Sequence, residues 1–167
     1  MPLSRPERRR QPVPGVPATR PFAPSAGHLP IEDHALIGDG ATCALVRRDG
    51  AVPWLCLPQF DSAPFFVSLL DAERGGEWSI APAGLHGGEQ RYADDTAVLT
   101  TTLAGDGGVV EVTDFLALRS GADLTEIAAS GRSQLVRLAR VAAGTVTLRI
   151  RFAPARSAPS NNSAAPG

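Results

Sequence analysis

The segment Trp-Leu-Cys-Leu-Pro-Gln-Phe-Asp-Ser, which begins at Trp54, holds the side chains best suited to chemistry. An indole, an amide and a carboxylate (Trp54, Gln59 and Asp61) can form part of a sugar site, in which a sugar ring stacks on the indole and its hydroxyls bond to the polar groups. The alternative is structural: Trp54 and Phe60 belong to the core, and Asp61 caps a helix that begins near Pro64. Composition alone favours the structural alternative.

Paired carboxylates, which acid–base catalysis needs, occur only as sequence neighbours, in Glu32-Asp33 and Asp94-Asp95. Neighbouring side chains on an extended chain point to opposite faces, so neither pair is expected to converge on one bond. Gly38-Asp39-Gly40 is better explained as a turn than as a phosphate loop, because no helix with a basic residue follows it. We therefore assign no catalytic residue from the sequence.

The two cysteines, Cys43 and Cys56, flank Asp49-Gly50, a signal for a tight hairpin turn. If these two residues form the turn, Cys43 faces Cys56 across the strands and a strained disulfide is geometrically possible. Two reduced cysteines in a cytoplasmic hairpin are the favoured alternative. Pro53 cannot donate a ladder hydrogen bond, which predicts an edge strand or a bulge at that position.

The composition excludes several classes of function. The 167 residues carry 16 basic and 17 acidic side chains, and every basic one is arginine. The absence of lysine excludes Schiff-base chemistry and the Gly-Lys-Ser/Thr phosphate loop. Two cysteines and three scattered histidines predict no metal site, and no cofactor is expected. No apolar run approaches the roughly 20 residues of a membrane span, so no membrane partner is predicted.

The two ends of the chain differ from its middle. Residues 1–30 hold eight of the fifteen prolines and five arginines, which predicts a disordered leader rather than a basic tether. No apolar core follows those arginines, so a secretory signal is not predicted and a cytoplasmic location is. Residues 154–167 carry one charge and no large apolar side chain, which predicts a second disordered tail. The predicted domain is residues 31–153, whose acidic balance argues against binding to nucleic acid.

Within this domain, short strands and glycine turns predict an all-β, antiparallel sandwich. The predicted hairpins join 41–48 to 51–57 and 96–104 to 109–116. Residues 145–152 alternate between apolar and polar positions, and 134–143 is their predicted hairpin partner, with a helix as the open alternative. One helix is predicted, over Pro64–Asp71. In 109–115 neither face is purely apolar, so the orientation of that strand stays open.

An ordered series of short motifs resembles a known family. The first part runs Ile-Glu-Asp-His-Ala-Leu-Ile-Gly-Asp-Gly from Ile31, Arg-Asp-Gly from Arg48, Trp-Leu-Cys-Leu-Pro from Trp54 and Phe-Asp-Ser from Phe60. The later motifs follow in order as Arg91-Tyr92, Val112-Thr113-Asp114-Phe115 and Leu135-Val136-Arg137. Over about residues 29–152 the chain resembles the N-terminal, trehalase-like domain of bacterial family 15 glycoside hydrolases, the glucoamylase and trehalase group.

The resemblance implies a β-sandwich followed by an (α/α)6 barrel, whose two glutamates hydrolyse α-glucosidic bonds with inversion. None of that barrel is in this chain, and the match ends near Phe152, so the sandwich is expected to be incomplete and the chain catalytically silent. Its predicted role is to pack on the barrel and to contribute a loop at the rim, with Trp54, Gln59 and Asp61 as the rim residues. An α-glucoside would then be bound only in the full-length enzyme.

Two other functions stay open. The chain can be a stand-alone carbohydrate-binding or interaction module, or a truncated remnant without function. Three positions depart from the family pattern: His34 stands where tyrosine is usual, Pro53 where aspartate is frequent, and Gln59 where arginine is common. The change at Gln59 bears directly on the predicted rim.

Overall fold

A computed structural model describes residues 17–22, 29–119 and 131–156. This part of the chain forms one short 3-10 helix, Ile31–Asp33, and twelve strands. The strands are β1 Arg20–Pro21, β2 His34–Gly38, β3 Cys43–Arg47, β4 Ala51–Val52, β5 Trp54–Cys56, β6 Pro64–Phe66, β7 Glu77–Pro82, β8 Gly87–Tyr92, β9 Leu99–Gly105, β10 Gly108–Leu118, β11 Gly131–Gly144 and β12 Leu148–Ala153.

The strands form three sheets, and every pairing between them is antiparallel. The sheet orders are β1-β8-β9-β10-β11, β12-β7-β4 and β2-β3-β5-β6. The prediction of an all-β, antiparallel fold is therefore confirmed. The long five-stranded sheet forms one layer, and the two smaller sheets share the core with it.

The core consists of two apolar clusters between these layers. One is built on the four-stranded sheet and reaches Leu99 of β9; the other joins Ile80 of β7 to Leu103, Val110 and Val112 of β9 and β10. Burial alternates along β10, so that residues 110, 112, 114 and 116 face inward. This alternation gives the strand a definite orientation, with the carboxylate of Asp114 on the apolar side.

The first predicted hairpin is partly confirmed. Ala44 pairs with Leu55 and Leu45 with Trp54, which is the register expected from a turn at Asp49-Gly50. Ala51 and Val52, however, leave this sheet and pair with β7 of the neighbouring sheet. The break falls at the buried Pro53, between β4 and β5. In place of the predicted edge strand or bulge, the missing N–H of proline separates two short strands that belong to different sheets.

The second predicted hairpin is confirmed, with a tighter turn than expected. Gly105 pairs with Gly108, so only Asp106 and Gly107 form the turn. Gly107 has a φ of 81°, in the left-handed region that favours glycine. This hairpin builds the centre of the five-stranded sheet.

One predicted element and one predicted strand pairing are wrong. Pro64–Phe66 is strand β6 rather than the start of a helix, because Phe66 pairs with Leu55 and Pro64 with Cys56 of β5. Residues 134–143 lie in β11 and pair with β10, so neither the helix nor the pairing with β12 is correct. Strand β12 pairs with β7 instead. The cause is tertiary: β11 carries Arg137, the partner of Asp114 on β10.

Most of the predicted leader and tail lies outside the described residues. The described part of the leader includes β1, a two-residue edge strand that pairs with β8. Pro21 is tolerated there because an edge strand has ladder positions without an N–H requirement. At the other end, the N–H of Ala155 donates to the carbonyl of Phe65 at 2.9 Å.

Candidate functional site

The predicted rim residues lie on β5 and on the loop that follows it, residues 57–63, which we call the rim loop. Hydrogen bonds donated by its backbone N–H groups define its shape. The N–H of Gln59 donates to Oγ of Ser62 at 3.1 Å, and the N–H of Ser62 donates to the carbonyl of Gln59 at 3.0 Å. The N–H of Phe60 donates to the carbonyl of Ala41 at 3.1 Å, which ties the loop to the start of β3. Its exposed side chains therefore project from a closed turn.

The structure places the three predicted residues in two environments. Trp54 is half-buried on β5, whereas Gln59 and Asp61 are exposed on the rim loop. Phe60, between them, is 72% exposed, so its assignment to the core is wrong. Strand β6 stands where Asp61 was expected to cap a helix, so its predicted capping role is also wrong. Sequence reasoning missed Phe60 as a site residue, although its position between two polar residues at a turn was a usable signal.

Two of the three departures from the family pattern meet in space. His34 and Pro53 both line a cavity of about 200 Å³ beneath Leu69. Nδ1 of His34 lies 3.0 Å from the carbonyl oxygen of Pro30, and its Nε2 is buried without a hydrogen-bond partner in the described part of the chain. The third departure, Gln59, lies apart from this cavity, on the exposed rim loop.

The first candidate carboxylate pair does not converge. Glu32 is exposed, whereas Asp33 is buried and held by Arg48, with Nε to Oδ1 at 2.7 Å and Nη2 to Oδ2 at 3.0 Å. These hydrogen bonds lower the pKa of Asp33 below its usual range, although burial acts in the opposite direction. Nη1 of Arg48 donates to the carbonyls of Arg20 and Gly88. Asp33 is therefore a structural anion and not a proton donor.

A second buried carboxylate, Asp114, has the same type of partner. Arg137 donates to it from Nε at 2.8 Å and from Nη2 at 3.2 Å, and both side chains are 0% exposed. The guanidinium also donates to the carbonyls of Trp78 and Gly50. Burial raises the pKa of Asp114, and Arg137 opposes that effect only in part. Through the carbonyl of Trp78 on β7, the pair joins β10 and β11 to the three-stranded sheet.

The second candidate pair, Asp94-Asp95, lies in an exposed turn between β8 and β9, where Asp95 has a φ of 56°. Gly38-Asp39-Gly40 is a turn, as predicted: Oδ1 of Asp39 accepts from the N–H groups of Ala41 and Thr42. A cavity of about 710 Å³ with a mainly apolar lining lies between these two turns and the end of β10. Asp39 of one turn and Asp95 of the other both line this cavity.

Both cysteines are free thiols. Cys56 is buried, and Cys43 is half-buried on the neighbouring strand. Burial raises the pKa of the Cys56 thiol, with smaller contributions from Cys43 and from the charge of Asp61. A raised pKa disfavours the thiolate, so Cys56 is not activated as a nucleophile.

The described ranges hold neither a cluster of metal ligands nor a membrane-spanning helix. No group of three or more histidine, cysteine, aspartate or glutamate side chains there is arranged to hold a metal ion. None of the helices in this part of the chain is long and apolar enough to span a membrane.

The comparison with protein families matches residues 22–160 to the model described as "Trehalase-like, N-terminal". This chain belongs to that family. The trehalase of Thermoplasma volcanium is 36% identical over 93 residues, which are 54% of this chain and 15% of the relative. The trehalase of Mycobacterium tuberculosis is 29% identical over 136 residues, or 75% of this chain and 20% of the relative. No solved structure gives a significant match.

The matches show how the chain relates to these enzymes in length. It spans about a fifth or less of the curated trehalases that it resembles. The match to the trehalase-like N-terminal family confirms the resemblance inferred from the sequence motifs. The matched region, 22–160, is wider than the predicted 29–152. It includes Phe22, whose ring lies under the guanidinium of Arg48.

Proposed function

We propose that this chain is the non-catalytic N-terminal domain of a family 15 glycoside hydrolase that acts on α-glucosidic bonds, as trehalases and glucoamylases do. In this proposal it packs on an (α/α)6 catalytic barrel supplied by the rest of such an enzyme. Its membership of the trehalase-like N-terminal family and its similarity to about a fifth of a much longer trehalase support the proposal. The reactive acid and base belong to the barrel.

The observation that carries the proposal is the rim loop. It presents Gln59, Phe60 and Asp61 outward from a turn that is tied to β3, beside the half-buried Trp54. An exposed aromatic ring flanked by an amide and a carboxylate is the combination that contacts a sugar ring and its hydroxyls. We propose that these side chains line the mouth of the substrate pocket, where they position the glucoside without taking part in proton transfer.

The two arginine-paired carboxylates are unsuited to acid–base catalysis, which supports a silent domain. Asp33 and Asp114 are each held by two hydrogen bonds from an arginine, which leaves neither oxygen pair free to serve as a general base. A cytoplasmic location is part of the proposal, because the free thiols of Cys43 and Cys56 suit a reducing compartment.

The test uses a hybrid enzyme. Residues 29–153 replace the matched segment of the Mycobacterium tuberculosis trehalase, and trehalose and maltose hydrolysis is measured for the hybrid and for this chain alone. We expect glucose release from the hybrid and none from the chain alone. In the hybrid, Phe60→Ala and Asp61→Ala should lower kcat/KM about tenfold, a loss of about 1.4 kcal/mol. Arg91→Ala, an exposed residue on β8, is the matched control. Glucose release by the chain alone would contradict the proposal.

The exposure of Phe60 also favours a second candidate, a stand-alone carbohydrate-binding module. An aromatic ring that is 72% exposed can stack on a sugar without any partner domain. Titration with trehalose and with maltooligosaccharides, followed by tryptophan fluorescence, separates the two candidates. A saturable change that is lost in Phe60→Ala or Trp54→Ala would support the module, and a flat titration would eliminate it.

A further inference from the structure

Strand β12 (Leu148–Ala153) has a free edge. It is the outer strand of the order β12-β7-β4, and Ile150 lies opposite Ile80. The N–H of Ala83 donates to the carbonyl of Thr147, whereas the N–H of Ile80 points the other way, to Gly50. Odd-numbered residues of β12 therefore bond to β7, and the N–H and C=O groups of Leu148, Ile150 and Phe152 point to the free edge. No described strand pairs with them.

The inward face of β12 continues the apolar core but lacks a cover. Phe152 packs edge-on against Trp78, with ring centroids 5.4 Å apart, and lies 5.9 Å from Phe65. Even so, Phe152 is 55% exposed and Ile150 is 64% exposed. A contiguous exposed apolar surface beside an unpaired strand edge is unfavourable in a free chain and typical of an interface.

The outward face of the same strand is basic. Arg149 and Arg151 alternate with the apolar residues and are both exposed. Arg151 lies 3.6 Å from Glu77, at the border of a cleft of about 270 Å³ that Arg74 and Arg156 also line. The two faces of β12 therefore present different chemistry to any strand that pairs with it.

We propose that the free edge of β12 receives an added antiparallel strand in which apolar and acidic residues alternate. Its apolar side chains would lie beside Ile150 and Phe152 and extend the core. Its acidic side chains would lie beside Arg149 and Arg151. This inference rests on the proposed function, because the strand would come from the partner that carries the catalytic barrel. Directly opposed side chains of opposite charge stabilise such a pair, and like charges destabilise it.

The test uses two blocked peptides, Thr-Glu-Val-Glu-Val-Glu-Thr and Thr-Lys-Val-Lys-Val-Lys-Thr, N-methylated along one edge so that they cannot pair with themselves. Binding to the full chain is measured by fluorescence anisotropy, and hydrogen exchange reports protection at residues 148–153. We expect the glutamate peptide to bind about tenfold more tightly than the lysine peptide and to slow exchange at Ile150 and Phe152. The peptide-binding experiment requires no catalytic activity, so a negative result in it is distinct from a negative result with the hybrid enzyme.

Two variants sharpen the result. Arg149→Glu should abolish the preference between the peptides, whereas Arg91→Glu, a matched charge reversal on β8, should leave it unchanged. Ile150→Pro removes an N–H at the free edge that β7 does not use, so the chain should fold and lose the peptide. Absence of binding, equal affinity for both peptides, or protection elsewhere than at β12 would overturn the proposal.

Discussion

Two buried aspartate–arginine pairs in this fold have the same hydrogen-bonding arrangement, but the pKa of the aspartate is shifted in opposite directions. In each, one guanidinium donates to both carboxylate oxygens and to two backbone carbonyls: Arg48 to Asp33, and Arg137 to Asp114. Each guanidinium also lies over an aromatic ring. Yet the pKa of Asp33 is lowered and that of Asp114 is raised.

The difference is in desolvation. Asp33 lies near the edge of the fold, where its side chain keeps 9% exposure and Arg20 adds a second positive charge at 3.7 Å. Asp114 and Arg137 are 0% exposed in the centre. Attraction to arginine therefore outweighs burial at Asp33, whereas burial outweighs attraction at Asp114. The same set of hydrogen bonds therefore goes with a lowered aspartate pKa near the surface and with a raised one in the fully buried centre.

The largest expected effect is at the central pair. Asp114→Ala leaves the guanidinium of Arg137 buried without a counter-charge, so we expect a loss of about 3–5 kcal/mol in the free energy of unfolding. The double substitution Asp114→Ala with Arg137→Met removes both charges and should restore most of that loss. Urea unfolding of the four proteins of this cycle measures the coupling. Equal stability of the single and double variants would contradict the account of burial.

Breaking the peripheral pair, Asp33 and Arg48, should lower the free energy of unfolding by less. In Asp33→Asn, Arg48 keeps its bonds to the carbonyls of Arg20 and Gly88 and lies closer to water. We expect a loss of about 1–3 kcal/mol, below that of Asp114→Ala, in the same urea measurement. A larger loss at Asp33 than at Asp114 would reverse the comparison.

The pH dependence should separate the two pairs by sign. The lowered pKa of Asp33 means that its contribution is present above the ordinary carboxyl pKa of about 4 and is lost as the pH falls toward the lower folded value. The raised pKa of Asp114 acts oppositely: folding favours its protonated form, so its contribution improves as the pH falls from the raised value toward about 4.

Unfolding free energies across this acid range give the test. The advantage of the wild-type chain over Asp33→Asn should shrink as the pH falls, and its standing relative to Asp114→Asn should improve. The same slope in both comparisons would show that depth does not set the pKa direction.

The smallest effect on stability is expected at the rim loop. Gln59, Phe60 and Asp61 are exposed, so alanine at each should change the free energy of unfolding by less than about 0.5 kcal/mol. Thermal unfolding of the three variants checks this. A larger loss would mean that the loop supports the fold and does not serve a site.

Much of the fold could be predicted from local patterns, and the failures have a shared cause. Turn residues gave the register of Ala44 with Leu55 and the central hairpin. The orientation of β10 stayed open because Asp114 sits on its apolar face, and only Arg137, distant in sequence, explains it. Likewise, local patterns did not show that β11 pairs with β10 and that β12 pairs with β7. In the candidate site, Phe60 was misassigned because hydrophobicity alone does not distinguish a core ring from one at an exposed turn.

The most direct test of the central claim is whether this chain docks on a catalytic domain. Sedimentation velocity of the chain mixed with the catalytic portion of the Mycobacterium tuberculosis trehalase, produced without its matched segment, measures this association. We predict a one-to-one complex that Ile150→Pro weakens and Arg91→Glu leaves intact. Two species that sediment independently, with both proteins folded, would contradict the account.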